Sequence, residues 1–214
     1  MKDSAVIAAA GLSSRMGKLK PLLPLGDTTI IGSVIRSLKD AGVGEIVVVT
    51  GHQSARMETY LVPFGVRVCY NPDYAASDML DSLRLGLRAL REAFDFVYLT
   101  PGDVPLVKPE TLLRLREIRG AALRPICGGV GGHPVRLAAG SVPALLEYGG
   151  ENGLRGFLAS LGSDLVPVAV EDTGVTIDVD TPADYQRLLS EDGLRGGSND
   201  NYHFKTSGGA GAGA

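Results

Sequence analysis

The sequence predicts an α/β fold, a mainly parallel sheet with helices on both faces, and three observations carry that expectation. Short apolar runs alternate with helical patterns from residue 5 to residue 119, the arrangement that builds successive βαβ units. Two of the runs, Val6-Ile7-Ala8-Ala9-Ala10 and Ile46-Val47-Val48-Val49, lack any period-two alternation. Strands of that kind are covered on both faces. The first run empties into a loop of small residues and cations, Gly11-Leu12-Ser13-Ser14-Arg15-Met16-Gly17-Lys18-Leu19-Lys20, at the sheet end where open α/β folds bind ligands.

The elements follow in order. Residues 28–41 place Ile31, Val34, Ile35 and Leu38 on one helical face, and Gly42 stops it. Residues 45–50 are a second buried strand closed by Gly51, and residues 53–61 are a helix. Residues 66–70 form a third strand, ended by Asn71-Pro72. The strongest amphipathic helix is expected over residues 78–94, with Leu80, Leu83, Leu87 and Leu90 on one face. A fourth strand over residues 96–99 precedes a helix over 109–119 that opens on a proline. After Gly120 the pattern loosens. Residues 125–127 and 134–137 are strands around a glycine-rich turn, 142–148 and 154–161 are short helices, 165–170 and 175–177 are strands, and 182–189 is the last helix. From Asp192 the composition turns to Gly, Ser, Asn and Ala. The expected division is therefore one domain over residues 1–191 and a flexible tail over 192–214. His203 and Phe204 lie in that tail and receive no role.

A chain of 214 residues can bury a substantial core. A net charge of −3 gives no basic field for nucleic acid. Cys69 and Cys127 have neither CxxC nor histidine spacing, so they are expected as buried thiols. No apolar run is long enough for a bilayer, and no charged-then-apolar leader opens the chain. A cytoplasmic protein without membrane contact is the expectation.

Consecutive loop N–H groups make an anion-binding concavity, and Arg15, Lys18 and Lys20 supply countercharge. The loop reads as a triphosphate cradle. It is neither a G-x-G-x-x-G dinucleotide fingerprint nor a P-loop. The plainer alternative is a basic surface loop with ordinary turn glycines. Ala9-Ala10-Gly11, Arg15-Met16-Gly17 and Lys20, continued by Leu22-Leu23-Pro24-Leu25-Gly26, resemble the signature L/I-A-A-G-x-S/G-x-R-M-G-x-x-K of MobA-like nucleotidyltransferases, which have a Rossmann-like fold. Within them the chain is most similar to the molybdenum cofactor cytidylyltransferases.

The resemblance implies transfer of CMP from CTP to the phosphate of molybdopterin, with Mg²⁺ as cofactor. It also implies a molybdoenzyme or its maturation chaperone as a partner. It assigns nucleotide binding to Ala9, Ala10, Gly11, Ser13, Ser14, Arg15, Met16, Gly17 and Lys20, together with Asp78, Ser82 and Gly102. Arg15 would hold the β- and γ-phosphates, Lys20 would stabilise the α-phosphate, and Asp103 completes the catalytic set. Asp103 stands in Thr100-Pro101-Gly102-Asp103-Val104-Pro105 directly after the fourth strand, as in the family's acidic metal motif. Ile177-Asp178-Val179-Asp180-Thr181-Pro182 resembles the segment bringing the second carboxylate to the metal. Asp180 matches it, although Asp178 lies on the same side of an extended segment, and Asp180 or Thr181 could instead cap the following helix.

Ala-Ala-Gly at the strand end goes with cytidine in the resembling families. Asp78 and Asp81 stand where small residues are usual, either altering recognition or favouring a helix first turn. Gly132, His133 and Pro134 resemble the acceptor-facing segment, where His133 could donate to a phosphate, and Arg155 matches its cation. His52 is a loop residue. Other readings are GTP as donor, a sugar-1-phosphate or polyol phosphate as acceptor, or a non-catalytic carrier of the pterin cofactor.

Overall fold

A computed structural model describes residues 1–13 and 16–191. The central sheet contains β1 (Asp3–Ala9), β4 (Ile46–Thr50), β5 (Arg67–Tyr70), β6 (Phe96–Pro101), β7 (Ala122–Cys127), β8 (Val130–Gly131), β9 (Val135–Ala138) and β10 (Leu165–Ala169). A separate hairpin pairs β2 (Pro24–Leu25) with β3 (Thr28–Thr29). The helices are α1 (Ile30–Asp40), α2 (Ser54–Leu61), α3 (Met79–Ala89), α4 (Pro109–Glu117), α5 (Val142–Glu147), α6 (Gly153–Ser160) and α7 (Pro182–Glu191).

The strand order is β10-β7-β9-β6-β1-β4-β5, with β8 beside β7. β1 runs parallel to both β4 and β6, with Ala9 opposite Thr50 and Ala8 opposite Pro101. β9 is antiparallel to β6 and β7, and β8 is antiparallel to β7. The chain leaves β1 toward β4 and β5, then returns to the other side of β1 with β6. The loops after β1 and β6 therefore open a crevice at a topological switch point.

Alternate residues of the central strands enter different cores. Ala5, Ile7, Ile46 and Val48 pack with Ile31, Ile35, Leu38, Met57, Leu112 and Leu115 on one face. Val6, Val47, Val49, Val97 and Leu99 pack with Leu83, Leu87, Leu145 and Phe157 on the other. This two-sided burial is what the unalternated apolar runs require. A third cluster joins Leu23, Leu25 and Ile30 to Val179 and Leu188. It seats α7, and with it the segment before α7, against the hairpin.

Several boundaries depart from the sequence reading. Residues 175–177 are not a strand. Thr173–Thr176 form a 3₁₀ turn, because the Asp172 carboxylate accepts the Gly174 N–H and caps it. The helix expected to residue 94 stops at Ala89. Its continuation is pinned by Glu45, whose carboxylate accepts the N–H groups of Arg91 and Glu92, both at 2.9 Å. β7 starts at Ala122 and β1 at Asp3, both earlier than the apolar runs suggest. Asp3 is buried because it pairs with Arg136 at 2.8 Å and Arg116 at 3.1 Å. Cys69 and Cys127 are free thiols, but half-buried rather than fully buried. The first lies on the edge strand β5 and the second at the last residue of β7. Among the described residues, no helix is long and apolar enough to cross a membrane. The expected tail, residues 192–214 with His203 and Phe204, lies outside the described residues.

Candidate active site

Parallel strands deliver the first two walls. β1 ends at Ala9, and the following loop crosses the mouth of a cavity of about 350 Å³. Ala9, Ala10, Gly11, Ser13, Met16 and Lys20 line it from this side. Gly102 and Asp103 line it from the loop after β6. Gly102 donates its N–H to the Ala8 carbonyl at 2.8 Å, and a Cβ there would stand 2.9 Å from the Ala9 Cβ. Glycine is what lets the two loops approach closely enough to face each other. Asp78 and Ser82 come from the start of α3, and Asp180 from the turn before α7. Gly17 has a left-handed backbone (φ +61°) in the same loop but does not line the cavity. Ser14 and Arg15 lie outside the described residues.

The charged centre is Lys20. Its Nζ lies 2.6 Å from Asp103 Oδ2 and 3.0 Å from Asp180 Oδ1. Its backbone N–H donates to Ser13 Oγ at 3.2 Å, which ties the loop to its own base. Burial alone would lower the lysine pKa, but Asp103 first and then Asp180 outweigh it, so the net shift is upward. Lys20 therefore stays an ammonium. The Val179 N–H donates to the Asp103 carbonyl at 3.0 Å, fixing the two acidic segments relative to each other. Capping of α7 falls to Thr181, whose Oγ1 accepts from Asp184 N–H at 3.2 Å while Asp184 Oδ2 accepts the Thr181 N–H at 2.8 Å. Asp180 turns to Lys20 instead. Asp178 is exposed and lines a second cavity.

Two carboxylates thus converge on one cation, the Lys20 ammonium. Among the described residues, no group of three or more His, Cys, Asp or Glu could enclose a metal. A divalent cation that prefers oxygen and keeps open positions for phosphate fits such a donor pair.

The second cavity, about 400 Å³, shares Met79, Pro101 and Asp103 with the first and is lined further by Gly131, Gly132, His133, Val175 and Asp178. At this cavity the charged form of the His133 ring is disfavoured. Burial foremost, then Arg124, lower its pKa to about 4, against smaller opposing effects of Asp178 and the Leu99 carbonyl. Nδ1 is buried without a hydrogen-bond partner. Burial therefore keeps the ring neutral near pH 7. Pro134 lines neither cavity, because its buried ring lies beside Val104, Val107 and Leu112 on the core side. Arg155 is exposed and lines neither cavity, although its charge reaches Arg124, which donates to the Gly131 carbonyl at 2.8 Å. His52 lines neither cavity, as expected of a loop residue.

Sequence reasoning missed Tyr74 and Ser77, which line the first cavity, and Asn71, which sits behind it. Their signal was position alone: all three follow the carboxyl end of a parallel strand, where ligand-binding loops emerge.

Comparison with known proteins agrees with this geometry. Residues 5–165 match the MobA-like NTP transferase domain. The molybdenum cofactor cytidylyltransferase of Escherichia coli is 29% identical over 182 residues, covering 84% of this chain and 92% of that protein. The crystal structure of Rv0371c from Mycobacterium tuberculosis has a TM-score of 0.77 at 29% identity, covering 88% of this chain and 98% of that one. Its complex with manganese gives 0.75 at 27%, covering 89% and 100%. CMP:2-keto-3-deoxy-manno-octonic acid synthetase complexed with CTP, at 18% identity and a TM-score of 0.71 over 88% of this chain and 97% of that one, shares the fold. The motif-bearing β1 loop and the β6 loop both lie inside the matched segment, and the chain belongs to the MobA-like NTP transferase family.

Proposed function

We propose that this protein transfers CMP from CTP to the phosphate of molybdopterin with Mg²⁺ and releases pyrophosphate. The observation that carries the proposal is the contact of Lys20 with both Asp103 and Asp180 at the switch point. It joins a fixed cation, a carboxylate pair and a small-residue loop in one cavity. Molybdopterin as acceptor is supported by the E. coli relative and by the second cavity, which meets the first at Asp103. The Ala9-Ala10-Gly11 strand end supports CTP.

The chemistry needs positioning and charge neutralisation more than covalent help. An acceptor phosphate oxygen forms a bond to the α-phosphorus, and the bond to the oxygen leading to the β-phosphorus breaks, so pyrophosphate leaves. Loop N–H groups and Arg15 hold the β- and γ-phosphates. Lys20 places its ammonium against the α-phosphate, where negative charge builds. Asp103 and Asp180 are the residues that would hold a divalent ion, which when bound neutralises phosphate oxygens. A molybdoenzyme or its maturation chaperone is the partner that would receive the product.

The test is pyrophosphate release with Mg²⁺, purified molybdopterin and CTP, GTP, UTP or ATP in turn. Release with CTP alone is expected, and Lys20→Ala or Asp103→Ala lowers it by ~100-fold or more. Release with GTP, or only with a sugar or polyol phosphate, overturns the assignment of substrates. Binding of the pterin without release under any condition favours a carrier.

A further inference from the structure

Behind the nucleotide cavity lies a residue that the sequence presents only as a strand stop. Asn71 follows β5 and is 1% exposed. Its backbone N–H donates to the Thr50 carbonyl at 2.8 Å, which fixes it at the carboxyl end of β4. Its Oδ1 accepts the Asp73 N–H at 2.9 Å. A backbone N–H can only donate, so this contact decides which end of the amide is oxygen. Nδ2 then faces two serines, at 2.9 Å from Ser77 Oγ and 3.2 Å from Ser82 Oγ. Both amide protons are used on hydroxyl oxygens. Ser77 and Ser82 line the cavity. Among the described residues, neither hydroxyl has a protein acceptor for its own proton.

We propose that Asn71 is a positioning residue that sets the hydrogen-bond polarity of the base pocket. A hydroxyl that accepts on one side offers its proton on the other. Because Asn71 donates to both serines, the wall presents two donors to a ligand. Two donors suit a base edge with adjacent acceptors, the O2 and N3 of cytosine. Uracil carries N3–H in that place and sets donor against donor. The Asp78 carboxylate lines the same cavity and suits the exocyclic amino group of cytosine, while its Oδ1 caps α3 through the Asp81 N–H at 2.9 Å. A site built for one hydrogen-bond pattern rejects the opposite pattern because buried polar groups are left unpaired. The inference rests on the reading of this cavity as the nucleotide site, and it adds how the base is chosen.

Asn71→Asp is the decisive variant. It keeps the shape and still accepts from Asp73, but its carboxylate takes the protons of both serines and turns their lone pairs into the cavity. Equilibrium binding of CTP and UTP in Mg²⁺ is measured by calorimetry, with inorganic triphosphate as a probe of the phosphate end. CTP affinity is expected to fall roughly 10- to 100-fold. The CTP:UTP ratio drops at least about 10-fold with it, and triphosphate affinity stays unchanged. Ser77→Ala with Ser82→Ala lowers the same ratio, and adding Asn71→Asp to that pair moves it no further. The serine pair carries the test if Asn71→Asp does not fold. A ratio unchanged in Asn71→Asp, or in the serine pair, overturns the role of Asn71 alone. A wild-type chain that binds triphosphate but neither nucleotide overturns the reading of the cavity, and this inference with it.

Discussion

Lys20 and His133 stand about the same crevice with opposite fates, one held charged and one held neutral. For Lys20, the raised pKa means its ion pairs contribute fully below the ordinary lysine value of 10.5 and are lost only as pH climbs through the higher folded value. For His133, the folded value of about 4 lies below the ordinary 6.5. The unfolded chain then binds more protons between these values, so stability falls as pH drops from 6.5 toward 4. The difference amounts to on the order of 3 kcal/mol. Urea unfolding of wild type and His133→Gln across pH 4 to 7 checks it, because carboxylate titration is common to both. The wild-type curve should fall away from the variant's below pH 6.5, and parallel curves would refute the buried neutral ring. Lys20 and Asp103 stood out in the sequence because each sits in a motif, whereas Asp178 and Asp180 stayed open as alternatives there and it is Asp180 that reaches Lys20. The neutral state of His133 was not legible there, since burial by the packed fold decides it first and the charge of Arg124 adds to it.

At the scale of elements, local chemistry sets the ends and tertiary contacts override it where they reach. Thr29 caps α1 by accepting the Gly32 N–H at 3.2 Å, so the helix starts at Ile30 rather than at residue 28. Thr29→Ala should cost about 1 kcal/mol in chemical denaturation, with the slope of the transition unchanged. Asp78 and Asp81 form a reciprocal capping box at α3, so the first-turn reading of these acids holds while Asp78 also lines the cavity. The end of α3 could not be read in advance. Its apolar stripe runs on to Leu90, but Glu45, far back in the chain, takes the N–H groups that a longer helix would have used. The misread strand at residues 175–177 has the same lesson. A short apolar stretch is ambiguous, and the cap at Asp172 decided it.

Across the whole molecule, the alternation of runs and helical faces made the α/β class and the parallel half of the sheet legible. The order of strands was not, because pairing joins segments far apart in the chain. Arg136 on β9 is fully buried, pairs with Asp3 on β1, and lies 3.6 Å over the Phe96 ring centroid. It bolts the late strands to the early ones. Arg136→Met should destabilise the fold by about 3 kcal/mol, since Asp3 would keep only Arg116 for company. Urea titration reads this directly, and a loss below ~1 kcal/mol would mean the pair merely balances its own desolvation.

The reversed strand has a consequence for how the chain comes off the ribosome. β1, β4, β5 and β6 are all made by residue 101, and they can assemble side by side. The outer edge of β6 finds its partner only when residues 135–138 arrive, with Leu99 opposite Val135 and Phe96 opposite Ala138. During that interval a strand whose Val97, Tyr98 and Leu99 end almost wholly buried presents an open edge. Nascent chains of this length are where chaperone capture, or association with another nascent copy, would compete with folding.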